Sequence, residues 1–136
     1  METFGFGTTL AAPYDEAVAR TKAALKEQGF GVLTEIDIKR TLQEKLGADF
    51  RPYVILGACN PPLAFRALEA NLGVGLLLPC NVVVYDNGDG TATVEAMDPE
   101  VALQLLSDNA AVGEVAREAK LRLRAALDAI AKEPSS

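Results

Sequence analysis

Five residues, Asp86-Asn87-Gly88-Asp89-Gly90, separate two β-prone runs, Val82-Val83-Val84-Tyr85 and Thr91-Ala92-Thr93-Val94. Asn-Gly and Asp-Gly supply the positive φ angles of a tight turn, so the segment predicts a β-hairpin and commits the chain to an antiparallel pair. A second constraint lies downstream. Val112, Val115, Ala116, Ala119, Leu123, Ala126, Leu127 and Ile130 recur at helical spacing and hold one apolar stripe over about five turns. A stripe of that length has to pack on the sheet or on a partner, and Asp108 or Asn109 is placed to cap its start.

The remaining elements follow from local pattern. Phe4, Phe6, Thr8 and Leu10 alternate with Gly5, Gly7 and Thr9 and read as a first strand. Pro13 opens a helix over 13–28 with Asp15 and Glu16 in its first turn and Gly29 as its stop. A strand is expected over 30–36. Asp37 then caps a short helix over 38–46, which sets Ile38, Leu42 and Leu46 on one face and ends at Gly47. A third strand covers 53–58, and Asn60-Pro61 starts another helix with Leu63, Ala64, Ala67 and Leu68 inward. Asn71-Leu72-Gly73 ends that helix, a loop leads to Pro79, and Asp98-Pro99 starts a short helix reaching about Leu106. No internal repeat or linker interrupts residues 1–136, which read as one domain with an ordered core at about 3–131 and a short polar tail after Lys132.

A chain of 136 residues can bury enough surface for its own core, and 49% apolar residues with only 6% aromatics make that core aliphatic. The net charge of -6 disfavours nonspecific attraction to nucleic acid or to an anionic membrane. The N-terminus lacks the basic and long apolar regions of a signal peptide, and the longest apolar stretch, Val74 to Tyr85, is too short to span a bilayer and is broken by Pro79 and Asn81. A cytoplasmic location is the resulting expectation. Histidine is absent altogether, which excludes Ser-His-Asp and Cys-His catalysis.

The site-like feature is a doubled motif. Both cysteines are followed by asparagine and neighboured by proline, in Ala58-Cys59-Asn60-Pro61 and in Pro79-Cys80-Asn81-Val82. Cys59 precedes a helix start, whose partial positive charge lowers a thiol pKa, yet Asn60-Pro61 is fully explained as a cap and cysteine is often a buried small hydrophobe. No helix start accounts for Asn81. If the strands that carry the two motifs pair antiparallel, Cys59 and Cys80 share one sheet edge; if parallel, roughly 15 Å or more separates them. A disulfide needs Cα atoms within about 7 Å, and a tetrahedral zinc site would need two carboxylates or a second subunit in addition, which argues against zinc within one chain.

Other candidates fall away. Asp86 to Gly90 lacks calcium-loop spacing, with Met97 where the twelfth-position Glu belongs. Leu72-Gly73-Val74-Gly75-Leu76 lacks the third glycine of a dinucleotide fingerprint and follows a helix, leaving a loop. Arg117, Lys120 and Arg124 share a side of the last helix that could meet an anion, although a solvated face explains them, and Glu118 and Arg122 are spaced to pair.

The run from Tyr53 to Pro61 with Ala64, the run Leu77-Leu78-Pro79-Cys80-Asn81-Val82-Val83, and Gly29-Phe30, Glu35-Ile36 and Leu46-Gly47 together resemble the bacterial domain of unknown function 302 family over most of residues 4–127. The resemblance implies an α+β fold of the TATA-binding-protein-like type, strand-helix-strands-helix with a mainly antiparallel sheet and added helices, and a dimer. It implies no activity, and fold does not confer DNA binding on an acidic chain.

Three readings follow. The first is a cytoplasmic homodimeric binding or sensing module with a small-molecule cleft near Cys59, Asn60, Cys80 and Asn81, without cofactor or metal. The second is a thiol-dependent redox or soft-metal protein with Cys59 as thiolate and Cys80 as partner. In the third, both cysteines are purely structural. No catalytic residue can be named.

Overall fold

The computed structural model describes residues 4–132 apart from Ser107. The start of the expected core at residue 3 and the tail beyond Lys132 lie outside the described residues. Five strands, β1 (Gly5–Leu10), β2 (Gly31–Asp37), β3 (Tyr53–Cys59), β4 (Cys80–Asp86) and β5 (Ala92–Met97), form one sheet in the order β1-β5-β4-β3-β2. Every neighbouring pair is antiparallel. The helices are α1 (Tyr14–Glu27), α2 (Ile38–Leu46), α3 (Pro61–Ala70), α4 (Pro99–Ala102) and α5 (Ala110–Lys132), with 3-10 turns at Leu72–Leu77 and Leu103–Leu106. The α+β architecture with a mainly antiparallel sheet is therefore the one expected.

Local chemistry fixes the boundaries. Asp37, Asn60 and Asp98 each accept a backbone N–H in the first turn of α2, α3 and α4. Asn109 does the same for α5, taking the N–H groups of Ala111 and Val112, so it is Asn109 that caps the last helix. Gly29 and Gly47 follow α1 and α2 with positive φ, where a side chain would be strained. The segment expected as a loop before Pro79 instead contains the 3-10 turn Leu72–Leu77. Asn71 accepts from the Gly73 N–H, and Val74 within that turn is fully buried.

Two apolar cores lie side by side. The first fills the space between the sheet and helices α1 and α5, with Leu25, Leu56, Val82, Val84, Val94 and Leu123 completely removed from solvent. The second joins α3, the Leu72–Leu77 turn and the N-terminal half of α5 through Leu63, Ala67, Val74, Val112 and Val115. All eight residues of the predicted α5 stripe are buried. One long helix thus belongs to both cores, its C-terminal half on the sheet and its N-terminal half on α3.

Among the described residues, the opposite face of the sheet carries no such cover. Strand alternation sends Val54, Leu56, Val82, Val84, Val94 and Ala96 to the helices, and Ile55, Val83, Tyr85, Thr93, Glu95 and Met97 to the other side, where they keep partial solvent access. α2 contributes no buried residue, and Leu46 on its apolar face remains 73% exposed.

Candidate functional site

The β3–β4 register brings the two motifs together. Ala58 faces Cys80 and Gly57 faces Asn81, so the antiparallel alternative holds and the cysteines are one residue out of direct opposition. Both are free thiols. They line a crevice at the seam between the two cores, with Phe30 and Ala58 from one side and Leu63 and Val115 from the other. Its volume is about 30 Å³, space for a water molecule or two. Small-molecule sites run to roughly 300 Å³ and above, so the crevice is a packing seam and holds no such ligand in this conformation.

The thiol electrostatics agree with that assignment. Burial pushes the Cys59 thiol above its ordinary value. Burial also pushes Cys80 up, to about 11, with the neighbouring Cys59 adding to the effect. Both sulfurs stay protonated at neutral pH. No group of three or more His, Cys, Asp or Glu side chains able to hold a metal ion occurs among the described residues.

Asn60 is committed to the fold. Its Oδ1 accepts from the Leu63 N–H at 3.3 Å, and its Nδ2 donates to the Gln28 carbonyl oxygen at 3.4 Å. The same carbonyl accepts from Arg122 Nη1 at 3.1 Å. The side chain therefore ties the start of α3 to the end of α1. Gly57 is equally constrained: a Cβ there would collide with Thr34 Oγ1 and come within 3.0 Å of Pro79 Cγ. The proline of the second motif packs over the glycine that precedes the first.

Asn81 parts company with the other three. It is exposed on the uncovered face of the sheet and borders a hollow of about 370 Å³ together with Phe4, Tyr53, Val83, Glu95 and Met97. Tyr53 and Tyr85 face each other across β3 and β4 and stack with ring centroids 5.3 Å apart and planes 7° from parallel. Tyr85 Oη donates to Glu95 Oε1 at 3.2 Å. Burial raises the pKa of both phenols, and the charge on Glu95 raises them further. Hollow and crevice thus occupy different faces of the sheet, and the four candidate residues divide three to one between them.

Glu95, Tyr53, Val83 and Met97 were not singled out from sequence, although a signal was present. Alternation along Ala92–Met97 puts Glu95 on the side away from Val94 and Ala96, and Val83 alternates against Val82 and Val84. Two-faced strands of that composition announce a second apolar surface. On the last helix the expected Glu118–Arg122 pair forms, with Nε to Oε2 at 2.8 Å. The basic side dissolves into separate contacts: Lys120 bonds Asp98 and Glu100, and Arg124 lies 4.3 Å from the centroid of the Phe6 ring. Among the described residues no helix is long and apolar enough to cross a membrane.

The family model described as "Domain of unknown function DUF302" matches residues 6–130, and the chain belongs to that family. A solved structure, the crystal structure of an uncharacterized conserved DUF302 protein from Bacillus stearothermophilus, is similar at 38% identity with a TM-score of 0.83, covering 93% of this chain and 98% of that one. No curated protein matches the chain.

Proposed function

We propose that this DUF302 protein is a small-molecule binding or sensing module whose ligand sits on the uncovered face of the sheet. The observation that carries the reading is the hollow of about 370 Å³ beside Asn81, which combines apolar walls with a few convergent polar groups. That is the general composition of ligand sites. The doubled motif contributes one residue to it directly, Asn81, while Cys59, Asn60 and Cys80 form the rigid seam behind it. The thiol-dependent alternative lacks a thiolate at neutral pH and is not adopted.

A homodimer belongs to the same proposal. β2 is an edge strand with unpaired backbone groups, and Leu33 (67% exposed), Ile36 (46%) and Leu46 (73%) are uncovered on it and on α2. A second copy would cover them, and a cytoplasmic setting accords with the two free thiols.

The reading is tested by amide NMR of the full chain against a library of small soluble compounds. Saturable shifts at Val83, Glu95 and Met97, lost in a Val83→Trp variant that fills the hollow, are expected. Saturable shifts confined to residues around the cysteines, or none across the library, would contradict it.

A further inference from the structure

The hollow carries a charge that no side chain among the described residues balances. Glu95 makes no ion pair among the described residues, and none of the residues around the hollow is Lys or Arg. Its hydrogen-bond partner among the described residues is the Tyr85 hydroxyl, which donates to Oε1 and orients the carboxylate. A carboxylate offers about four acceptor positions, so most of its capacity remains directed at solvent or at a bound group. The negative charge of Glu95 raises both phenols beyond the effect of burial.

We propose that the open-face hollow is built for a small organic cation, an ammonium, amidinium or guanidinium group on a compact apolar or aromatic body. The inference rests on the ligand site proposed above and names the chemistry it accepts. The cation would pair with Glu95, where a charge-assisted hydrogen bond is strongest. A planar body would lie among Phe4, Val83 and Met97 and against the stacked tyrosines, whose ring faces also attract positive charge. The Asn81 amide, which makes no hydrogen bond within the described residues, can accept from or donate to a polar group at the rim. The net charge of -6 raises the local concentration of cations around the whole molecule. An anion would meet the unpaired Glu95 with repulsion.

Three probes of nearly identical shape isolate the charge: benzamidine as cation, benzamide as neutral isostere and benzoate as anion, each titrated into the full chain and followed by amide NMR at Asn81, Val83, Glu95 and Met97. Benzamidine is expected to saturate, benzamide to bind at least about tenfold more weakly, and benzoate not to bind, as the loss of one charge-assisted contact predicts. Glu95→Gln, which keeps the shape and the acceptor for Tyr85, should reduce benzamidine binding to the level of benzamide. Equal binding of all three, or benzamidine binding unchanged in Glu95→Gln, overturns the cation inference while leaving a ligand hollow in place. Shifts by none of the three also overturn it, and the wider compound library then decides whether the hollow binds anything.

Discussion

The Asn60 side-chain amide donates to the Gln28 carbonyl oxygen at 3.4 Å, joining the first turn of α3 to the end of α1. Gly29, next in the chain with φ of 85°, would bring a Cβ to 3.0 Å from the same amide nitrogen. Asn60→Ala removes both this bridge and the cap on the Leu63 N–H. Urea denaturation should show a loss of about 1–3 kcal/mol. Asn60→Asp keeps the cap, removes the donor and should fall between the two.

The Gly57 site gives a sharper steric test. Gly57→Ala drives a methyl into Thr34 Oγ1 and against Pro79 Cγ, and overpacking of this kind costs roughly 1–3 kcal/mol. Adding Thr34→Ala removes the worse of the two collisions. A double-mutant cycle should therefore give the pair more stability than the sum of the single changes implies. Strict additivity would show that the two residues do not touch.

Much of the architecture was legible because local chemistry and long-range packing agree. The Asp86 to Gly90 turn, the caps at Asp37, Asn60 and Asp98, and the α5 stripe each state one structure only. Where they disagree, pattern misleads. Ile38, Leu42 and Leu46 form a helical face, yet α2 buries none of them, since periodicity records that a face exists and not whether something covers it. The candidate site was half legible for a related reason. Sequence adjacency joins Cys80 to Asn81, whereas the strand pleat sends neighbouring side chains to opposite faces, Cys80 to the seam between the cores and Asn81 to the open hollow.

The thiols define an alkaline window. A thiol ordinarily titrates near 9, and Cys80 is held protonated up to about 11 in the folded protein. The folded state then binds more protons than the unfolded chain between those values. Stability contributed by this group is complete below about pH 8.5 to 9 and is lost as pH rises towards 11. Tyr14, raised by burial to about 12, adds a similar loss above pH 10. Cys80→Ala should flatten the fall in stability between pH 9 and 10, where the tyrosine contributes least. At pH 7 to 8 a maleimide or disulfide reagent should label the native protein far more slowly than the denatured chain.

For the proposed dimer, sedimentation of the full chain should give twice the monomer mass at micromolar concentration. Leu33→Glu and Leu46→Glu replace uncovered apolar side chains with charges and should shift the protein to monomer without lowering its helix content. A wild-type chain that sediments as a monomer throughout would contradict the assembly.

The central claim is that the working surface is the open face of the sheet and not the crevice between the cysteines. Crystals of the 136-residue chain soaked with benzamidine test it most directly. The account predicts the amidinium against the Glu95 carboxylate and the ring among Tyr53, Val83 and Met97, with the seam at Cys59 and Cys80 unchanged. A ligand seated between the two thiols, with the open face empty, would contradict it.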